Sequence, residues 1–193
     1  MTLEAYQHEH NTFLTLTYDP EKTSDETLHK FHVKKFLNRL AADRSKNKLK
    51  GYRYFYCGEY DDNERAHYHV ALFGGEPCRR GGTRGDLIKR HGSCCPPCDY
   101  YAAKWKLGFI HSGTLTFESA QYIAKYVNKG MTNKNDPKVQ EYLDGRLPEF
   151  ARMSLKPGLG AGAIDKLADV LTSYDGCDSI AETGDRRRYK KER

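Results

Sequence analysis

The sequence predicts an α+β domain, a central antiparallel sheet with flanking helices. Three observations predict it. Runs rich in β-forming residues occupy 12–18, 52–60 and 66–73. The last two are separated only by the polar stretch Asp61–Arg65, a connection too short for parallel neighbours. Helical periodicity at 25–43 and 116–128 falls between the strands without the strict alternation of a parallel sheet.

Each element follows from its own residues. In Thr12–Tyr18, alternation puts Leu14, Leu16 and Tyr18 on one face and Phe13, Thr15 and Thr17 on the other. Asp19-Pro20 ends this strand. Thr23-x-x-Glu26 has capping-box spacing, and a helix at 25–43 buries Val33, Phe36, Leu37 and Leu40, with Phe31 off that stripe. Strands at 52–60 and 66–73 form a hairpin, closed by Gly74-Gly75. Residues 76–99 are rich in Gly, Arg, Cys and Pro and read as a loop-dominated insertion. A short helix at 100–107 and a strand at 109–116 follow. Thr116 caps a helix to Asn128, with Gly130 past its end. Residues 137–143 form a short helix, 156–162 a loop, 163–173 a helix, and the chain frays from Asp175. The pattern β-α-β-β-insertion-β-α suggests a ferredoxin-like sheet with helices on one face. The domain spans 1–175 and a flexible basic tail 176–193.

Composition narrows the classes. In 193 residues, 32 basic against 26 acidic side chains leave a net charge of +6, and most of the excess lies in Arg186–Arg193. A charged end is weak evidence for nucleic acid by itself. Mean hydropathy is −0.83, and no apolar run approaches the ~18 residues of a membrane span. The polar start MTLEAYQHEH lacks a secretory core, so a cytosolic protein with no membrane partner is expected. In that compartment the six cysteines are free thiols or metal ligands rather than a disulfide framework.

Two constellations carry chemistry. His67 and His69 share a strand face, and two imidazoles about 7 Å apart at the Cα can grip one metal ion. If the hairpin pairs symmetrically across 60–66, Glu59 lies opposite His67 and adds a carboxylate. On the helix at 116–128, Ala120, Ile123, Ala124 and Val127 form the apolar stripe. Tyr122, Tyr126, Lys125 and Lys129 gather on the opposite side. A phenol becomes a nucleophile when its proton leaves or its oxyanion is held by positive charge. Two at i, i+4 allow two sequential transesterifications.

Three ordered motifs resemble those of HUH endonucleases, specifically the replication initiators of microvirus (gokushovirus-like) single-stranded DNA phages. They are Phe13-Leu-Thr-Leu-Thr-Tyr-Asp19, His67-Tyr-His69 with Val70-Ala-Leu-Phe-Gly74 and Glu59 upstream, and Tyr122-Ile-Ala-Lys-Tyr-Val-Asn-Lys129. They span 13–129, about three fifths of the chain. The resemblance implies a five-stranded antiparallel sheet with the His pair on a central strand. It implies Mg²⁺ or Mn²⁺ on Glu59, His67 and His69. Tyr122 or Tyr126 would attack single-stranded origin DNA, giving a 5′-phosphotyrosine link and a free 3′-OH for rolling-circle replication. Lys125 would stabilise charge, and Lys129, Arg65, Thr15 and Thr17 would touch DNA. The setting would be the cytoplasm of a bacterial host, with host replication proteins as further candidate partners.

Cys78, His91, Cys94, Cys95 and Cys98 crowd the insertion, and Cys95-x-x-Cys98 has zinc-knuckle spacing. These five are candidates for a structural Zn²⁺ site. The alternative is a loop with free thiols, and Arg79, Arg80, Arg84, Lys89 and Arg90 could track a DNA backbone either way. Competing functions are a relaxase or single-strand transposase of the same superfamily, or a non-catalytic binding module with Tyr52, Tyr54 and Tyr56 stacking bases.

Overall fold

The computed structural model describes residues 1–24, 27–81, 94–129, 137–164, 168, 181–182 and 185–188, excluding the side chains of 126–129, 138 and 181–188. Five strands form the main sheet: β1 (Asn11–Tyr18), β2 (Arg53–Tyr60), β3 (Ala66–Phe73), β4 (Gly108–Thr114) and β5 (Phe150–Met153). Their order is β4-β1-β3-β2-β5, antiparallel throughout, so β3 is central. The first four strands have the ferredoxin-like order. The helices are α1 (Thr2–Ala5), α2 (Lys30–Lys46), α3 (Pro96–Trp105), α4 (Phe117–Lys129) and α5 (Pro137–Leu143).

Both faces of the sheet are covered, where the sequence suggested one. Leu14, Leu16, Tyr68, Val70 and Leu72 pack with Val33, Phe36, Leu37 and Leu40 of α2 and with Tyr101 and Trp105 of α3. On the opposite face, Phe55, Cys57, Ala71 and Phe73 pack with Ile123 of α4. The reason is visible in β3. Its second half is apolar on both sides, so each side needs a cover. Helical periodicity gives the apolar stripe of a helix, not the sheet face that receives it.

Several boundaries shift for local reasons. Helix α2 starts at Lys30, not 25, and His29 makes no side-chain cap. Two sheet tyrosines hold the preceding segment extended. Tyr60 Oη accepts the Leu28 N–H at 3.3 Å, and Tyr68 Oη accepts the His29 N–H at 2.8 Å. Thr23 therefore precedes the helix by several residues, and Glu26 lies outside the described residues. Phe31 is 47% exposed, as its place off the stripe implied. Lys35 lies over its ring.

Helix α3 begins at Pro96, inside the expected insertion, with Cys95 at its N-cap and proline in its first turn. Tyr56 is buried, and Tyr52 and Tyr54 pack partly buried against the core, so they form no open stacking platform. Two elements escaped sequence reading, α1 and the four-residue edge strand β5. Both are too short to show a period. The helix expected at 163–173 lies largely outside the described residues, with Ala161–Ala163 a 3-10 turn. In the segment expected to fray, Ala181–Glu182 pairs with Asp185–Arg188 as a short hairpin.

Candidate metal and tyrosine site

The register builds the site. Glu59 pairs with His67 across the β2–β3 hairpin, as symmetric pairing required. Cys57 pairs with His69 one step further along this face. Thr17 and Thr15 of β1 lie on the other side of the same two histidines. Thr15 in turn pairs with His111 of β4. One face therefore carries two transverse rows: Glu59, His67, Thr17, Phe109, and then Cys57, His69, Thr15, His111.

Glu59 is the hub. Its Oε1 lies 2.8 Å from His67 Nε2 and 2.7 Å from His69 Nε2, and it accepts the Tyr122 O–H at 2.7 Å. Its Oε2 is buried and has no hydrogen-bond partner among the described residues. The ligand atoms of Glu59, His67 and His69 lie within 4.8 Å of one another. Each imidazole is oriented through its other nitrogen. His69 Nδ1 lies 3.0 Å from Thr15 Oγ1, and His67 Nδ1 lies 3.3 Å from the Arg65 carbonyl. Protons on those Nδ1 atoms leave both Nε2 lone pairs directed at the shared point. Phe13 stacks on the His69 ring at 5.2 Å, and Tyr122 meets it edge-on at 5.3 Å.

The electrostatics follow from this packing. Burial alone would raise the Glu59 carboxyl. The bonds from His67, His69 and Tyr122 outweigh it and hold the group down at about 2. Burial likewise opposes charge on His67, but the bond to Glu59 and its negative charge raise that imidazole. Burial, and then the Glu59 carboxylate, push the Tyr122 phenol above its ordinary value. The phenol is therefore protonated in the protein alone.

These features test whether a divalent ion fits. Two imidazole nitrogens and one carboxylate converge, and the second carboxylate oxygen is buried without a partner among the described residues. A carboxylate with two imidazoles suits borderline or hard divalent ions. The residues fit such a group.

Helix α4 brings the tyrosine in. Thr116 and Ser119 cap it reciprocally, with Ser119 N–H donating to Thr116 Oγ1 at 3.2 Å and Thr116 N–H to Ser119 Oγ at 2.8 Å. Ile123 is fully buried against the sheet, which fixes the rotation of α4. Tyr122 thus rests at the edge of the helix, 41% exposed, with its hydroxyl on Glu59. Lys125 is exposed, and it lines one shallow depression with Glu118, Gln121 and Tyr122. Tyr126 and Lys129 lie on α4, but their side chains are outside the described residues.

The other sequence candidates fall as follows. Thr15 acts on His69, a role distinct from the DNA contact expected of it. Thr17 lies opposite His67. Arg65 pairs with Asp61 through its side chain at 3.0 Å and offers its carbonyl to His67. His111 was missed by sequence reasoning. Its alternation with Phe109 was legible, but only the β1–β4 register puts it in line with His69. Burial and the neighbouring His69 lower its proton affinity. On the other side of the molecule, Cys78, Cys94, Cys95 and Cys98 form a buried cluster of their own, and His91 lies outside the described residues.

Comparison with known proteins gives a consistent pattern. The family model for replication-associated proteins of the ORF2 type matches residues 11–131. The chain is similar to replication-associated protein VP4 of Bdellovibrio phage phiMH2K, with 30% identity over 69% of this chain and 43% of that protein. It is similar to replication-associated protein ORF4 of Chlamydia phage 1, with 31% identity over 66% of this chain and 33% of that protein. Replication-associated protein ORF2 of Spiroplasma virus 4 shows 28% identity over 78% of this chain and 46% of that protein. The chain thus spans less than half the length of these relatives. No solved structure matches it. Among the described residues, no helix is long and apolar enough to cross a membrane.

Proposed function

Because the chain belongs to the family of ORF2-type replication-associated proteins, we propose that it nicks and rejoins single-stranded DNA with Tyr122 as nucleophile, in the manner of a rolling-circle replication initiator. The observation that carries this reading is the Tyr122 hydroxyl 2.7 Å from the carboxylate that also gathers His67 and His69.

Glu59, His67 and His69 would hold Mg²⁺ or Mn²⁺. When bound, the ion polarises the scissile phosphate and turns the field at the phenol from negative to positive. The protein's own residues do the rest. Thr15 and the Arg65 carbonyl orient the two imidazoles. Ile123 anchors α4 so that Tyr122 Oη faces the phosphate site. In the transfer, Tyr122 Oη forms a bond to phosphorus and the bond to the 3′ oxygen breaks. The phenolic proton is the one that the departing 3′-OH must end with. The phosphodiester energy is kept in the phosphotyrosine, so rejoining needs no nucleotide. Lys125 is positioned to balance negative charge beside the phenol. Tyr126, one turn further along α4, is the candidate for a second transfer.

The test uses the full chain, single-stranded DNA that includes phage origin sequences, and Mn²⁺. The expected result is a covalent protein–DNA band, abolished by EDTA and mapped to Tyr122 by mass spectrometry. Mn²⁺ binding followed by electron paramagnetic resonance should weaken at least about tenfold in Glu59→Gln, independent of any turnover. An adduct that persists in EDTA, or in Tyr122→Phe with Tyr126→Phe, would overturn the assignment.

A further inference from the structure

We propose that Cys78, Cys94, Cys95 and Cys98 hold one structural zinc ion as a tetrathiolate, which ties the exit of β3 to the start of α3. The four sulfurs lie within 4.8 Å of one another, and all four side chains are buried. Cys95 Sγ is 3.4 Å from Cys98 Sγ, while Cys78 Sγ is 3.8 Å from Cys94 Sγ and 3.9 Å from Cys95 Sγ. A tetrahedral ion with zinc–sulfur bonds of about 2.3 Å requires sulfurs about 3.8 Å apart. These separations centre on that value, and they are far beyond the ~2.05 Å of a disulfide.

The local backbone fits the same reading. Cys95-Pro-Pro-Cys98 puts one sulfur on the N-cap of α3 and another in its first turn, where the helix dipole favours thiolate. The Arg80 N–H points at Cys78 Sγ from 3.4 Å, a donor suited to a metal-bound thiolate. The Cys94 N–H is held by Asp99 Oδ1 at 3.0 Å. Four cysteines form this cluster with no other buried apolar residue in it among the described residues. Thiols that small bury little surface, so packing alone gives a weak reason for four of them to converge. An ion supplies the missing cohesion.

The all-sulfur set selects a different metal from the Glu59, His67 and His69 site, whose nitrogens and carboxylate suit Mg²⁺ or Mn²⁺. The role is mechanical. Helix α3 reaches β1 through Trp105, whose Nε1–H donates to the Thr17 carbonyl at 2.9 Å, and Thr17 pairs with His67. Tyr101 fastens the same helix to the β3 exit through the Glu76 carbonyl at 3.0 Å. Zinc would lock the N-terminal end of this strut. His91 is not needed, since four sulfurs complete the shell.

The test is metal analysis of the full chain purified under reducing conditions. The expected content is about one zinc per chain, retained through desalting. Replacement by Co²⁺ should give thiolate-to-cobalt charge-transfer bands and the intense visible bands of a tetrahedral site, which Glu59, His67 and His69 cannot produce. Cys78→Ser and Cys98→Ser should each reduce zinc content at least about tenfold. His67→Ala and Cys57→Ser should leave it unchanged. Wild-type protein free of zinc and without the cobalt charge-transfer bands would overturn the proposal whether or not the variants fold. An iron-loaded red protein, or a Cys95–Cys98 disulfide formed under reducing purification, would overturn it as well.

Discussion

Replacing Thr15 with valine isolates one hydrogen bond at the candidate metal site. The side chains have nearly the same shape and both favour strands, so β1 keeps its pairing with β3 and β4. What disappears is the hydroxyl 3.0 Å from His69 Nδ1. Losing an orienting partner of this kind typically weakens metal binding about 10- to 100-fold, or about 1.4–2.7 kcal/mol. The structure argues for the lower end. Phe13 and Tyr122 still hold the His69 ring from two sides at 5.2 and 5.3 Å, so its plane survives the substitution. The expected result is an Mn²⁺ dissociation constant raised about tenfold in Thr15→Val. Thr17→Val is the control, because His67 is oriented by the Arg65 carbonyl. It should change Mn²⁺ affinity less than about twofold, the residual scatter of surface substitutions. Electron paramagnetic resonance of free Mn²⁺ reads both variants without any DNA. Single-stranded DNA affinity measured in EDTA separates the alternatives. If Thr15→Val keeps full Mn²⁺ affinity and instead loses DNA affinity in EDTA, Thr15 is a DNA contact and the orienting role is refuted.

Three further outcomes follow from other parts of the fold. Buried Glu4 accepts bonds from the Gly160 N–H at 2.7 Å, His8 Nε2 at 3.1 Å and Arg53 Nε at 3.2 Å. Burial opposes the charge on Glu4, but these bonds outweigh it and lower the carboxyl below its ordinary 4.5, so its contribution is complete above that pH and declines as pH falls below it. Glu4→Gln should cost about 1–3 kcal/mol at neutral pH and flatten that part of the acid limb in urea titrations, whereas an unchanged acid limb would sink the argument. At Gly108, an added Cβ would stand 2.1 Å from the Thr17 carbonyl oxygen and 2.6 Å from the Asp19 nitrogen, both backbone. Gly108→Ala should cost about 3 kcal/mol or more in chemical denaturation, and a loss under ~1 kcal/mol would mean β4 can move away from β1 freely. Ile123→Ala empties the contact between α4 and Phe55, Cys57, Ala71 and Phe73. It should cost about 2–5 kcal/mol and slow adduct formation with Mn²⁺ affinity preserved, so equal loss of metal binding would contradict the division of roles between α4 and the sheet.

Much of this protein was readable before its structure. The hairpin at 52–73 announced itself through two β-rich runs and a turn of five polar residues, and its loop length fixed the register that brings Glu59 opposite His67. The apolar stripe of α4 was legible because Ala120 and Ile123 recur at helical spacing, and both are buried. Other features were hidden because their cause is not local. The start of α2 depends on Tyr60 and Tyr68, distant in sequence, bonding Leu28 and His29. Strand β5 has four residues and exists because β2 offers it an edge. Glu4 looks like one more acid near the N-terminus until Gly160 and Arg53 surround it.

The sequence by itself determined the period of each element, and therefore which side chains share a face: Phe13 with Thr15, Glu59 with Cys57, His67 with His69, Tyr122 with Lys125. Period 2 in a strand and period 3.6 in a helix are properties of the backbone and need no neighbour. The tertiary structure alone decided which faces meet. It turned α4 so that Tyr122 reaches Glu59, aligned His111 with His69 across β1, and closed four cysteines from two sides of an insertion into one cluster. Those outcomes rest on sheet order and long-range packing, where every contact joins residues whose separation along the chain carries no local signal.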